Sequence, residues 1–261
     1  MPVLTIALNT FREAVRDKIL YVLVVLAALL IFISRALGWV SYGGDKRIMT
    51  DVGLLAIWLF GAFVAVFIGT GMIYKEIDKR TLYTILSKPI ERWQFVVGKY
   101  CGLLLTTYVC LLLLSAVMLG YMAMLDAPIT GAIAQQIALT CVEMMVVTAI
   151  AIFFSAASSP LLSAVFTSLV FVIGQQTQWI YELGTQVQAR APWMRHAAYT
   201  LFLLVPNLHD FNVRQEAVNA AGAGGDWAIA PELLGYRVVY GVAYTAALLL
   251  AAVFFFRRRS F

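Results

Sequence analysis

Charged side chains are scarce in this sequence. Only 13% of its 261 residues are Asp, Glu, Lys or Arg, and 62% are apolar, whereas a soluble domain carries about 25% charged and about 45–50% apolar residues. A chain with so few polar side chains cannot cover the surface of a water-soluble core, and it is too apolar to be disordered. The composition therefore predicts an all-α integral membrane protein.

The residue patterns of common enzyme sites are also missing. The sequence has no Gly-x-x-x-x-Gly-Lys-Ser/Thr phosphate loop, no Gly-x-Ser-x-Gly and no His-Glu-x-x-His. Its two histidines, His196 and His209, form no metal-ligand pattern, and Cys101, Cys110 and Cys141 all lie inside apolar runs, where we expect small core residues. We predict that this chain is not an enzyme and binds no metal or cofactor of its own.

Six apolar stretches approach the roughly 20 residues that a helix needs to cross a bilayer. One uncharged stretch, Met144–Tyr181, is too long for a single crossing, so we divide it at the turn formers and proline of Ser155–Pro160. A cleaved signal peptide over 19–34 is disfavoured because Ser34-Arg35-Ala36 is a poor cleavage site. The predicted spans are 19–40, 52–74, 100–125, 132–154, 160–178 and 237–256.

The basic residues predict the orientation of these spans. Twelve of the 19 Lys and Arg residues lie near the N-terminus, between the second and third spans, or at the C-terminus. The positive-inside rule therefore places both termini in the cytoplasm. Because the basic residues flank apolar runs instead of forming one face, the net charge of +5 does not indicate nucleic-acid binding.

Residues 1–18 have the pattern of an amphipathic helix. Its apolar stripe consists of Leu4, Leu8, Phe11, Val15 and Ile19. We expect this helix to lie in the cytoplasmic membrane interface before the first span; a frayed extension of that span is the alternative.

Residues 75–99, between the second and third spans, hold nine of the chain's 33 charged residues. An apolar stripe of Ile77, Leu82, Ile85 and Leu86 runs among those charges, which favours a docking element over a solvated loop. Pro89 then predicts the first turn of a new helix, with Glu91 near its N-terminus.

The last loop, 179–236, is predicted to lie on the outer side. Ala197–Pro206 is apolar but too short to span, which suggests a re-entrant or interfacial hairpin. The small residues of Val218–Asp226 predict a flexible tip.

Glu143 is a lone charge in the middle of the fourth predicted span. A charged side chain at the bilayer centre costs about 2.5–3.5 kcal/mol on insertion scales, so it should not face lipid. Gln136 and Thr140 share its helix face. We expect these three residues either to make structural hydrogen bonds to protein or to line a transport path.

The segment 75–99 also resembles a known signature. Its motifs are Lys75-Glu76-Ile77-Asp78-Lys79-Arg80-Thr81-Leu82, then Leu86-Ser87-Lys88-Pro89, then Phe95-x-x-Gly98-Lys99. They resemble type-2 ATP-binding-cassette (ABC) exporter permeases, most closely the branch containing the permease of the nitrous-oxide-reductase maturation transporter. The likeness extends along the chain to the Phe154-Ser155…Ser159-Pro160 break and to Val205-Pro206-Asn207-Leu208.

This resemblance implies a fold, a site and partners. The fold is six transmembrane helices after an amphipathic interfacial helix, and the function is that of the permease subunit of an ABC exporter in a prokaryotic cytoplasmic membrane. The implied partners are two ATPase subunits, which bind ATP and Mg, and a second permease, with membrane lipid around them and an outer-side accessory protein as a further candidate. The docking residues for the ATPase are then Glu76, Ile77, Asp78, Lys79, Arg80, Thr81, Leu82, Ile85, Leu86, Ser87, Lys88 and Pro89.

Two other classes of membrane protein compete with this interpretation. A self-contained secondary transporter or channel needs coupling-ion residues within its spans, and the sequence offers one glutamate and no internal repeat. An intramembrane enzyme needs paired catalytic side chains, which the spans lack. The sequence does not identify the cargo.

Overall fold

The computed structural model describes residues 2–40, 45–78, 91–186, 199–200, 205–223 and 229–258, and the secondary structure in these ranges is helical. The elements are α1 (Pro2–Val15), α2 (Lys18–Val40), α3 (Asp45–Asp78), α4 (Arg92–Met124), α5 (Gly131–Ala157), α6 (Pro160–Gln175), α7 (Thr177–Gln186), a 3₁₀ turn (His209–Phe211), α8 (Arg214–Ala223) and α9 (Pro231–Arg258). The all-α class predicted from composition is confirmed.

Five helical stretches are long and apolar enough to cross a membrane. They are Lys18–Gly38, Lys46–Thr70, Arg92–Met124, Gly131–Ala157 and Pro231–Phe256. The apolar helix α6 has only 16 residues, or about 24 Å at 1.5 Å per residue, against about 30 Å of hydrocarbon. The chain is therefore a multi-pass membrane protein in which α6 is shorter than a full span.

The helix boundaries follow from local sequence. Helix α4 begins eight residues before the predicted span because Glu91 forms its N-cap in extended conformation, and the Glu91 N–H donates to Gln94 Oε1 at 3.3 Å. The predicted break is present between Ala157 and Pro160. Pro160 opens α6, where its missing N–H has no helical partner to lose.

Helix α5 is the central helix of the bundle. It packs against α3, α4, α6 and α9, and 17 of its 27 residues are buried. In the most apolar stretches of α2 and α9, in contrast, only 22% and 17% of the residues are buried within the chain. Polar residues on α5 therefore lie inside protein, whereas α2 and α9 present apolar surfaces outward.

Helix α1 packs against the first half of α4 through backbone contacts. A Cβ atom added to Gly102 would lie 2.5 Å from the Ala7 carbonyl oxygen and 2.6 Å from Thr10 Cβ, and one added to Gly98 would lie 2.8 Å from Ile6 Cβ. Both glycines are thus needed for the close approach, which identifies Gly98-x-x-x-Gly102 as a helix-packing motif.

The face of α1 that packs is not its apolar stripe. The buried side chains are Ala7, Thr10 and Ala14, whereas Leu4 and Leu8 remain 59% and 42% exposed. Small residues let the two backbones approach, and the larger apolar residues are left on the outer surface. The helix was predicted from its periodicity, but the period alone did not identify the side that contacts α4.

Two expectations were wrong. Val218–Ala223, the first part of the predicted flexible tip, is the end of helix α8, and Val218 and Ala220 are buried there. Packing of α8 on α3 and α5 supports a helix that its small residues alone would not hold. Cys101, expected in the core, is exposed.

The glycine contact predicts a specific packing effect. Replacing either Gly102 or Gly120 of α4 by alanine gains about 1 kcal/mol of helix propensity. Gly120 has nothing within 4 Å of an added Cβ, whereas overpacking at Gly102 costs about 1–3 kcal/mol. We expect Gly102→Ala to lower the thermal unfolding temperature of the purified protein relative to Gly120→Ala; equal temperatures for the two variants would contradict the contact.

Candidate functional site

Glu143 joins three helices near the middle of the bundle. Its side chain on α5 is completely buried. Trp58 Nε1 of α3 donates to both carboxylate oxygens, at 2.9 and 3.0 Å, and Gln175 Nε2 at the end of α6 donates to Oε1 at 2.5 Å. The carboxylate is thus enclosed by neutral donors from two other helices.

These hydrogen bonds explain how a carboxylate is tolerated at this depth. A buried ionisable group needs partners, since an unpaired one carries a large desolvation penalty. The donors come from residues 85 and 32 positions away in the chain, so the bonds also fix α3 and α6 against α5. The Trp58 ring adds packing against Phe171 of α6, with centroids 5.4 Å apart.

Gln136 and Thr140, the other members of the predicted face, belong to a separate network, two turns and about one turn before Glu143 along α5. Gln136 Nε2 donates to Thr140 Oγ1 at 3.0 Å, and the backbone N–H of Val213 donates to Gln136 Oε1 at 2.7 Å. The structure therefore buries all three predicted residues but joins only Gln136 and Thr140 directly. Gln136 contacts the segment that precedes α8.

A second glutamine holds the same end of the bundle. Gln135 Nε2 donates to the carbonyl oxygen of Ile229 at 3.0 Å, and the Ile229 N–H donates to Gln135 Oε1 at 3.2 Å. Adjacent side chains at the start of α5 thus bind two distant parts of the chain, just before α8 and just before α9. An ion pair between Arg214 and Asp51, at 3.1 Å, adds a contact from α8 to α3, although such half-exposed pairs are worth only about 0–1 kcal/mol.

We call residues 205–223 the cap segment. Its first part passes between α6 and α9: the Leu208 N–H donates to the Gly174 carbonyl oxygen at 3.0 Å, and the Asn207 N–H donates to the Tyr240 hydroxyl at 3.0 Å. Leu208 and Phe211 are completely buried. The cap segment therefore closes the end of the bundle at which α3, α5 and α9 begin.

Beside the cap segment lies a half-open cavity of about 430 Å³. Trp58 and Gln175, the two donors to Glu143, form part of its lining. Further lining side chains come from the start of α7 and from the cap segment; they are Gln176, Gln178, Trp179, Glu182, His209 and Asn212. The cavity has the volume of a small-molecule site, and its lining is unusually rich in amides.

Most of the predicted ATPase-docking residues lie outside the described residues. Glu76, Ile77 and Asp78 form the last turn of α3, where the structure describes the backbone only. The docking residues from Lys79 to Pro89 fall in 79–90, outside the described ranges. The re-entrant hairpin expected at Ala197–Pro206 is also largely outside the described ranges. Both remain predictions.

Sequence reasoning missed the partners of Glu143 and the cavity. A signal was present in Gln175-Gln176-Thr177-Gln178, where polar residues end an apolar run. Trp58 had no signal, because a single tryptophan in an apolar span is ordinary. Among the described residues, no group of three or more His, Cys, Asp or Glu side chains is placed to hold a metal ion.

The buried carboxylate predicts unequal effects of two substitutions. Glu143→Ala removes both acceptors and leaves the Trp58 and Gln175 donors unpaired, at about 1–3 kcal/mol for each group. Glu143→Gln keeps one acceptor oxygen at the same position, so it should unfold closer to wild type. Thermal unfolding in detergent measures both variants.

A double-mutant cycle tests the pairing itself. If the Trp58 bond to Glu143 exists, Trp58→Phe should destabilise the wild type more than it destabilises Glu143→Ala. Equal effects of Trp58→Phe in the two backgrounds would show that the two side chains are not coupled.

Comparison with known proteins addresses the whole chain. Residues 4–261 match the protein family described as "ABC-2 family transporter protein". No curated protein matches the sequence. The match spans α1, the membrane helices, the cap segment and α9. The chain therefore belongs to the ABC-2 transporter family, as a membrane permease subunit of an ABC transporter.

Proposed function

We propose that this permease works in an exporter, in which a separate ATPase subunit docks on residues 75–99 and drives alternating access for a cargo not yet identified. The family match over residues 4–261 is the observation that carries the proposal, since the family implies an ABC ATPase partner. The absence of a phosphate-binding loop from this sequence agrees with a nucleotide site on another chain. ATP and Mg then belong to that subunit.

The lengths of two helices support docking at this segment. Helix α3 has 34 residues and α4 has 33, about 50 Å each, whereas the hydrocarbon core is about 30 Å thick. The end of α3 and the start of α4 flank residues 79–90. Two helices that extend beyond the membrane would hold a docking element clear of the lipid headgroups.

The positions of the chain ends support six crossings. Helix α1 contacts the first half of α4 at Gly98 and Gly102. The end of α9 lies nearby, since Arg92 Nη1 donates to the Phe256 carbonyl oxygen at 3.3 Å and the Phe95 and Phe256 rings stack at 5.7 Å. Two chain ends on one side of the membrane require an even number of crossings. We therefore count the short helix α6 as a crossing in addition to the five long helices.

The same arrangement favours an interfacial position for α1. Leu4 and Leu8 face outward at the end of the bundle that carries the docking segment. With the positive-inside rule, this end is cytoplasmic and the cap segment is on the outer side. Three further parts of the proposal rest on the motif residues alone. They are the likeness to the nitrous-oxide-reductase maturation branch, the location in a prokaryotic cytoplasmic membrane, and a complex of two permeases with two ATPases.

Glu143 has two candidate roles within this function. Its sealed position and its bonds to Trp58 and Gln175 favour structural hydrogen bonding. A role in a transport path is favoured only by the cavity that its two partners line. A self-contained transporter finds less support, since the side chains bonded to this acid among the described residues are the neutral Trp58 and Gln175.

The docking proposal predicts loss of the ATPase without loss of the permease. Glu76→Lys, Arg80→Glu and Leu82→Asp each disrupt the charged, striped segment 75–99. We expect at least a severalfold drop in co-purified ABC ATPase, measured by quantitative mass spectrometry of the membrane complex, with normal membrane insertion. Glu232→Lys, an exposed charge reversal in the first turn of α9 at the opposite end, is the matched control. Undiminished co-purification in all three variants would leave only the solvated-loop interpretation.

The topology predicts opposite labelling of two positions. A cysteine placed at Gly224 should react with a membrane-impermeant maleimide in intact cells, and one placed at Ser260 should react only after the membrane is opened. Replacing the three native cysteines by alanine removes the background. Labelling of the Ser260 cysteine in intact cells would overturn the six-span topology.

A further inference from the structure

The cavity beside the cap segment has no part in ATPase docking. Its lining comes from α3, the α6–α7 junction and the cap segment, whereas the docking segment lies at the other end of α3. It is half open, with a volume of about 430 Å³, in the range of small-molecule sites. The kind of ligand that would fit it follows from the side chains in its wall.

Carboxamides dominate the polar part of the lining. Gln175, Gln176, Gln178 and Asn212 all contribute. Three of them already make one hydrogen bond within the protein: Gln175 donates to Glu143, Gln178 donates to Glu182, and Asn212 accepts from the Arg214 N–H. Each amide has two N–H donors and an oxygen with two lone pairs, so it keeps capacity to bond a hydroxyl group, itself both donor and acceptor. A wholly apolar ligand would displace the water bonded to these amides and offer no hydrogen bonds in its place. The amides therefore favour a ligand with several hydroxyl groups.

Charge complementarity argues against an anion. Among the described residues that line the cavity there is neither Lys nor Arg, and Arg214 of the cap segment is paired with Asp51. Phosphate and carboxylate ligands are normally bound by such cations.

A cation is also poorly matched. Within the described part of the lining, Glu182 supplies the one carboxylate, from an exposed position. The larger acid, Glu143, is fully buried behind Trp58 and Gln175, which occupy its oxygens. The lining thus compensates neither sign of charge strongly, and a neutral ligand fits best.

Two indole rings complete the lining. Trp58 is half-buried, and its N–H is bound to Glu143, so the ring is what it offers to a ligand. Trp179 is 66% exposed at the start of α7. Indole faces carry partial negative charge and attract the polarised C–H groups on the face of a sugar ring, while the amides bond its hydroxyls.

We propose that this cavity binds a neutral polyhydroxylated ligand of the carbohydrate class, held between the two tryptophans and the amide side chains. As a statement about cargo the inference rests on the proposed function; as a statement about binding it does not. Its test therefore measures binding to the permease alone, with no ATPase present, so that failure of transport and failure of binding are distinguishable.

The experiment is saturation-transfer difference NMR on the full chain in nanodiscs free of glycolipid and of sugar-based detergent. Maltose is the soluble probe, and nanodiscs that contain monoglucosyl-diacylglycerol supply the same chemistry as a lipid headgroup. Choline and inorganic phosphate are the charged competitors. The variants are Trp179→Ala and Gln178→Leu, both at exposed positions that should leave the fold intact, and Trp93→Phe is the control on α4, away from this cavity.

We expect maltose, or the glucosyl lipid measured as a competitor, to bind wild type and Trp93→Phe with the same affinity. The affinity for Trp179→Ala and Gln178→Leu should be about tenfold lower. Binding of both probes points to the sugar itself, and binding of the lipid alone points to a headgroup. Failure of both probes, equal binding by all variants, or stronger binding of choline or phosphate than of either sugar would overturn the proposal.

Discussion

The structure depends on one requirement: a carboxylate in the middle of α5 must find hydrogen-bond donors without water. Trp58 and Gln175 meet it from two different helices, and in doing so they set the positions of α3 and α6 relative to α5. Apolar side chains give little preference among helix orientations within lipid, because lipid is as apolar as they are. A buried polar group with a defined set of partners supplies that preference.

The start of α5 repeats this principle with neutral groups. Gln135 and Gln136 each bind backbone atoms of segments far along the chain, at Ile229 and at Val213. A backbone N–H that enters a packed helical end would otherwise lose its partner. The cap segment is thus held by backbone recognition as well as by the burial of Leu208 and Phe211, and it forms one wall of the amide-lined cavity.

The sequence analysis predicted the features that depend on neighbouring residues in the chain, and it missed the contacts between residues far apart in the chain. Composition gave the class, the proline gave the break before α6, and periodicity gave α1. The partners of Glu143 stand 85 and 32 residues away, and nothing local selects them. The small residues of Val218–Ala223 misled for the same reason, since their helix depends on packing against α3 and α5. Nine of the twelve predicted docking residues lie in 79–90, outside the described residues.

The contact between α1 and α4 has a mechanical consequence. At Gly102 the carbonyl of Ala7 and the Thr10 side chain occupy the space of a methyl group. The Thr10 hydroxyl is itself bonded to the Ile6 carbonyl oxygen at 2.9 Å, so little adjustable side chain separates the two helices at that level. Side chains that change rotamer absorb small displacements between most packed helices; here the bonded Thr10 side chain has little freedom to do so. We therefore expect a displacement of the start of α4 to move α1 with it, so that the two helices shift together at the edge of the bundle.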